Sequence, residues 1–402
     1  MTAKPLDGIR VLAAEQMQAL PYATQVLARL GADVVKIEPP AGESGRASQP
    51  SMPDPQGRPV GATFLRNNLG KRSVAVDLKS QAGRDLYLRL VPHFDVVAEN
   101  YKAGTMERLG LGYEAVKAVH PGAVYVSVSG FGSNGSPYGN WPAYASIVEA
   151  MSGIYDYTRR PGEAPRANPV GALGDISSAL FATVGILAAL RHRDLTGEGQ
   201  YVDVAMLDAT VAMTDIVTNF ASLGLPSQPY PQPYILDTFR ASDGWFVIQL
   251  VREHQFERLA ETVGHGEWLD DPRLAERAGW GEHLEDVIRP GIEKWAADLT
   301  KLEAAQALMA AGVAAGPCFE SHEVMRDPHL AARNMLVSLP RTDGVQQPVL
   351  VPGNPVKLSN VPDESDGRVP WIGEHTAEVL RSDLGLDDGQ VAALAEAGII
   401  SV

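Results

Sequence analysis

Dense apolar blocks alternate with amphipathic stretches along the first half of the chain. "GIRVLAAEQ" (8–16) reads as a strand. "PYATQVLARLG" (21–31) reads as a helix, with Pro21 near its first turn and Gly31 just past its end. "ADVVKIEPP" (32–40) is a second buried strand, stopped by Pro39 and Pro40. These three form a βαβ unit, which implies a right-handed crossover and a parallel sheet. Further strands are expected in "KRSVAVDL" (71–78), "FDVVAEN" (94–100) and "GAVYVSVSG" (122–130). A helix, "SQAGRDLYLRLVPH" (80–93), carries Leu86, Leu88 and Leu90 between the first two of them. This alternation predicts a doubly wound, Rossmann-like α/β domain.

A long apolar helix follows Asp175, then "GEGQYVDVAML" (197–207) and another helical stretch. The Pro-rich "SLGLPSQPYPQPY" (222–234) reads as a linker. "YILDTFRASDGWFVIQLV" (234–251) predicts a hairpin turning at Ser242-Asp243-Gly244, with amphipathic helices after it to about Gly316. From about Met335 come Pro-rich strands and a last helix, "GEHTAEVLRSDL" (373–384). The expected organisation is a large domain of 1–222 with 335–402 and a smaller α+β domain of 223–334. No internal repeat or low-complexity tract is visible.

The chain has 402 residues, 45% hydrophobic and 21% charged, which is an ordinary globular mix. Its net charge of −15 opposes polyanions, so nucleic acid is not an expected partner. No apolar run reaches roughly 18 residues without interruption, and the first residues lack an apolar signal core. No membrane partner is expected. Cys318 is the sole cysteine, so neither an intrachain disulfide nor a Cys-based zinc site is available. A cytoplasmic location fits these features.

"GFGSNG" (130–135) matches G-x-G-x-x-G, but "SPYGNWP" follows and cannot open a helix, so a nicotinamide site is not expected. Its glycines instead suit a tight loop at a strand end, where α/β sheets place ligands. The nine histidines are scattered, which gives no metal site, and no G-x-S-x-G elbow marks a serine hydrolase. Lys71, Arg72, Lys79, Lys102 and Arg108 are either a local phosphate site or solvated surface charges. Asp175 stands at the head of the long apolar helix, where an aspartate serves as N-cap or as a reacting group.

Eight stretches together carry a resemblance: "PLDGIRVL", "PYATQVLARLGADVVKIE", "NNLGKRSVAVDLKS", "ENYKAGTMERLGLGYE", "VYVSVSGFG", "ALGDISSALFATVGILAAL", "TGEGQYVDVAMLDA" and "GEHTAEVL". In this order they resemble the family III CoA-transferases, which include formyl-CoA and carnitine CoA-transferases and, more distantly, 2-methylacyl-CoA racemases. The resemblance implies an interlocked homodimer, an acyl-CoA and a free carboxylic acid as substrates, and no tightly bound cofactor. It places Asp175 as nucleophile and Gln18 as a second catalytic residue. It also implies CoA contacts at Gln18, Ala19, Val76, Asp77, Leu78, Lys79, Asn100, Tyr101, Lys102, Arg108, Tyr144 and Ala145. The chain departs from formyl-CoA transferase in having Pro39 and Pro142 for an arginine and a lysine, and Ala145 for a glutamate. The glycine-run loop of that enzyme is also missing between Ala209 and Tyr234.

The implied chemistry runs through an aspartyl anhydride and an aspartyl-CoA thioester, so acyl-transfer potential survives between two half-reactions. Two alternatives remain at this stage: a 2-methylacyl-CoA racemase or epimerase, and a non-enzymatic CoA-binding protein. Racemisation needs a base and an acid on opposite faces of the α-carbon. The racemase branch has a histidine where this chain has Tyr144, and tyrosine is ordinarily a poor base at neutral pH. Glu149, on the same apolar stretch, is read as serving structure.

Overall fold

The computed structural model describes residues 4–133, 135–157, 162–168, 171–224, 232–361 and 367–402. Asn134 of the glycine loop, Pro169 and Val170 before the long helix, and 225–231 of the Pro-rich stretch lie outside the described residues. The chain divides into two compact units, Met1–Asp215 with Pro328–Val402, and Ile216–Asp327.

The larger unit opens with β1 (Arg10–Ala14), α1 (Ala19–Arg29) and β2 (Asp33–Glu38). There follow α2 (Ala62–Asn67), β3 (Arg72–Val76), α3 (Gln81–Leu90), β4 (Val96–Glu99), α4 (Thr105–Leu109) and β5 (Val124–Ser129). Then come α5 (Ala145–Met151), α6 (Leu173–Thr196) and β6 (Tyr201–Ala205). The six strands are parallel in the order β3-β2-β1-β4-β5-β6. This is the doubly wound order in which the chain reverses direction across the sheet between β1 and β4.

Alternation along β1 sorts the two faces. Val11 and Ala13 face Leu20, Ala23 and Leu27 of α1 and Ala179, Ala182 and Ile186 of α6. Leu12 and Ala14 face Leu86, Tyr87 and Leu90 of α3 together with Val379 and Leu380 from the C-terminal region. Strands buried on both faces need continuous apolar runs, which is why "DVVKI" and "VYVSV" are legible as strands.

The expected last helix, found at Thr376–Leu384, is not last. A further helix, Asp387-capped at Asp388–Glu396, leads to a strand at Ile400–Ser401 that pairs antiparallel with β3. A two-residue strand is too short to show a period in sequence. In the smaller unit the hairpin Ile235–Ala241 and Gly244–Leu250 is joined by a third strand, Ala314–Pro317.

α6 is long and apolar enough, by length and composition alone, to cross a membrane, and half of its most apolar window is buried within the fold. The serines and threonine that interrupt the run in sequence are turned back on the helix. Ser178 Oγ donates to the Asp175 carbonyl at 2.8 Å and Thr183 Oγ1 to the Ala179 carbonyl at 2.9 Å. Their polarity is thus spent internally, and the helix is apolar on more than one side.

Candidate active site

Open α/β sheets bind ligands beyond the carboxyl ends of the strands, at the point where strand order reverses. A cavity of about 500 Å³ lies there. The turn after β1 supplies Gln16, Met17, Gln18 and Ala19, and the turn after β4 supplies Asn100, Tyr101, Lys102 and Ala103. Asp175 from the start of α6 and Tyr144 from the residue before α5 complete the lining relevant to chemistry.

The turn after β1 is held from below. The Asn100 side chain accepts the Gln16 N–H at 2.9 Å and donates to the Gln16 carbonyl at 2.9 Å. Met17 has φ of 59°, a left-handed conformation uncommon outside glycine. Its N–H donates to Glu43 Oε2 at 3.0 Å, which pins the strained residue and presents Gln18 to the cavity.

Beneath lies a buried charge network. Glu15 receives Lys71 Nζ at 2.6 Å and Thr24 Oγ1 at 2.7 Å, and Lys36 Nζ lies 3.5 Å away. Burial works to raise the Glu15 carboxyl, but the Lys71 and Lys36 charges hold it below its ordinary value. Lys71 is pushed down to about 8 by burial. Lys71 and Arg72 are therefore not part of a phosphate site. Lys71 is sealed against Glu15, and Arg72 pairs with Asp33 through both Nε and Nη2.

Asp175 is the third residue of α6 and not its N-cap, a position held by Ala172. The helix end is satisfied from elsewhere in the chain. Glu149 of α5, fully within the core, accepts the Gly174 N–H on Oε1 at 3.2 Å and the Tyr155 hydroxyl on Oε2 at 2.6 Å. Gly174 permits this approach, because a Cβ there would lie 2.6 Å from Val148. Freed from capping, the Asp175 carboxylate has no hydrogen-bond partner among the described residues. Burial and the Glu149 charge raise it to about 6, against a smaller opposing pull from Arg66. A carboxylate near the first turn of a helix, under-solvated yet mostly ionised at pH 7, is equipped for nucleophilic attack.

Of the residues singled out in sequence, Asp175, Gln18, Ala19, Asn100, Tyr101, Lys102 and Tyr144 line this one cavity. Ala145 does not line it but packs beside Gly174. Val76 is buried in β3, with Asp77, Leu78 and Lys79 on the turn into α3. Arg108 lies in α4 and lines a separate shallow recess with Gln81 and Arg84. The Gly130–Gly135 loop does contribute, through Gly130 and Phe131. A Cβ on Gly130 would lie 2.0 Å from Ala143, so glycine lets the 141–144 segment close on the strand end. Sequence reasoning missed Glu43 and the part that Glu149 plays in satisfying α6. It also missed Glu99, whose carboxyl burial raises to about 8 while it accepts the Tyr101 N–H at 2.8 Å.

The model of CoA-transferase family III matches residues 6–376. The chain is 34% identical to the succinyl-CoA:mesaconate CoA-transferase of Haloarcula hispanica, over 93% of this chain and 95% of that protein. It is 33% identical to the formyl-CoA:oxalate CoA-transferase of Streptomyces coelicolor, over the full length of both. A crystal structure of a CAIB/BAIF family protein from Brucella suis superposes with a TM-score of 0.83 at 33% identity, covering 95% of this chain and 100% of that one.

Proposed function

The chain belongs to CoA-transferase family III, and from that premise we propose that it moves CoA between an acyl-CoA thioester and a free carboxylic acid, with Asp175 as the covalent nucleophile. The observation that carries this reading is the Asp175 carboxylate, without a hydrogen-bond partner among the described residues and raised to about 6, in a cavity at the sheet's switch point.

Asp175 attacks the thioester carbonyl and expels CoA thiolate, giving a mixed anhydride. The thiolate then attacks the Asp175 carbonyl, releasing the donor acid and leaving an aspartyl-CoA thioester. An acceptor carboxylate attacks that thioester, and the freed thiolate takes the new acyl group, which restores Asp175. The Gln18 amide, presented by the pinned Met17 turn, is the donor available to each developing oxyanion. The acyl-CoA enters as a substrate, and its thiol end must reach Asp175. Residues 101–108 run from the cavity wall to the recess of Arg108, a path suited to pantetheine and then to phosphates. A charge-assisted phosphate contact contributes about 1.5–3 kcal/mol, so Arg108→Ala should raise the acyl-CoA KM roughly tenfold or more with little change in kcat. An unchanged KM would make Arg108 a surface charge.

Because Asp175 reacts as the carboxylate, kcat/KM should fall on the acid side with a midpoint near pH 6. Glu149 holds that midpoint up, so Glu149→Gln should move it to lower pH by about half a unit or more, because the like charge is removed. Tyr155→Phe, which leaves the Glu149 charge in place, should not lower it. A profile that stays put in Glu149→Gln would confine Glu149 to structure.

The whole reading is tested by incubating the protein with one acyl-CoA and a panel of free acids and identifying the CoA thioesters formed by mass spectrometry. New thioesters are expected only with an acceptor acid. Deuterium uptake at the α-carbon of a 2-methylacyl-CoA without acceptor would support the racemase reading instead, and no turnover would leave a binding protein. We further infer that a second copy of the chain covers α6. Leu180, Phe181, Val184 and Leu187 leave its outer side apolar and exposed, Val184 at 62%, in keeping with the homodimer that the family resemblance implies.

A further inference from the structure

An aromatic wall runs from the end of β5 toward Asp175. Two of the side chains that line the cavity are open rings, Trp141 at 52% exposure and Tyr144 at 71%. Large rings supply most of their energy when an apolar partner covers them, so an open indole in a reaction cavity marks a surface for a ligand.

The wall is held from behind. The Ser133 N–H in the glycine loop donates to both carboxylate oxygens of Asp203 on β6, at 2.9 and 3.2 Å. Ser127 Oγ bonds Ser133 Oγ at 3.1 Å and the Tyr201 hydroxyl at 2.7 Å. The loop so anchored carries Phe131, whose buried ring meets Tyr138 at 5.6 Å and the edge of Trp141 at 6.3 Å. Tyr138 packs on Trp141 at 4.7 Å, and its carbonyl accepts the Trp141 N–H at 2.7 Å. Beyond Trp141, Ala143 abuts Gly130 and Ala145 abuts Gly174, which brings the segment to the turn that carries Asp175.

Charge is scarce along the cavity. Among the described residues that line it, Lys102 is the one cation and Asp175 the one anion. Lys102 lies on the 101–108 path taken by the CoA arm, away from the wall segment in the chain. A group attached to the reacting carbonyl therefore meets ring faces. Those faces carry negative potential and offer nothing for the desolvation of an anionic tail, whereas an apolar tail covers them.

Building on the CoA-transfer reading, we propose that this wall is an acyl subsite for carboxylic acids with an uncharged apolar or aromatic tail, and for their CoA thioesters, with Trp141 setting the specificity. The carboxyl group reacts at Asp175 while the tail lies against the indole.

The test uses three acceptors that differ only at the third carbon: propanoate, 3-phenylpropanoate and succinate, which carry hydrogen, phenyl and carboxylate there. One acyl-CoA donor serves wild type, Trp141→Ala and Trp141→Phe. In kcat/KM, wild type should use 3-phenylpropanoate roughly tenfold or more better than propanoate, and succinate less well than either. Trp141→Ala should reduce the phenyl-to-propanoate ratio by roughly fivefold or more, through KM, and Trp141→Phe should keep part of it. The ratio is the readout because a general disturbance of Asp175 lowers all three acids alike. A wild type that prefers succinate, or gains nothing from the phenyl group, would overturn the assignment while leaving CoA transfer intact. So would an unchanged ratio in Trp141→Ala, including one accompanied by dissociation into monomers on light scattering, which would make the ring an interface between copies. Absence of transfer to all three acids, with no adduct on Asp175, would overturn the transferase reading and this inference with it.

Discussion

Asp175→Asn is expected to lower CoA transfer by roughly ten-thousand-fold or more while raising the melting temperature of the protein. The amide is nearly isosteric with the carboxylate but cannot form the anhydride, so catalysis loses its covalent step. Stability moves the other way because the carboxylate is poorly accommodated. It makes no hydrogen bond among the described residues, and burial and Glu149 raise it from 3.8 to about 6. Below about pH 4 the group is protonated in both folded and unfolded chains and contributes nothing. Between about pH 4 and 6 the unfolded chain ionises first, and the folded state loses stability as pH rises. Above about pH 6 the full cost stands, at most about 3 kcal/mol at 1.36 kcal/mol per unit. Thermal unfolding of both proteins at pH 7 and pH 4 checks this: the gain should be present at pH 7 and mostly gone at pH 4. A variant that keeps activity, or one that is less stable at pH 7, would contradict the account.

Breaking the ion pair beneath the cavity should have the largest effect on stability. Lys71→Met leaves Glu15 buried, with, among the described residues, Thr24 and the 3.5 Å contact to Lys36 for compensation. Loss of one partner from a buried pair costs about 3–5 kcal/mol, because the other charge is left unsatisfied. Glu15→Leu should cost a similar amount by stranding Lys71. The double variant should lose much less than the sum, since both desolvation penalties disappear together. Lys36 keeps a contact to Glu43 in that background, 3.5 Å away. Glu15 immediately precedes the Gln16–Gln18 turn, so the single variants should also lower kcat more than they raise KM. Urea unfolding with a two-state fit for each protein decides the matter, and strictly additive losses would show that the two residues act separately.

The strands of the large unit were legible because a parallel sheet buried on both faces calls for near-continuous apolar runs. Their order, and with it the location of the cavity, was not legible, since crossover direction leaves no local mark. The position of Asp175 relative to its helix was misread for a similar reason. An aspartate before an apolar run resembles a cap, but Glu149, 26 residues earlier in the chain, satisfies the Gly174 N–H instead. Lys71 looked like a surface cation because its partner is 56 residues away. The strand Ala314–Pro317, with its small residues, has little intrinsic strand preference and is set by pairing Gly316 with Val247.

The central claim is a covalent bond to Asp175. Incubate the wild-type protein with acyl-CoA, quench with hydroxylamine, digest, and map the adduct by peptide mass spectrometry. The account predicts a hydroxamate on Asp175, formed only in the presence of acyl-CoA and absent from Asp175→Asn. An unmodified Asp175 in a protein that is actively transferring CoA, or a hydroxamate on another carboxylate, would contradict it.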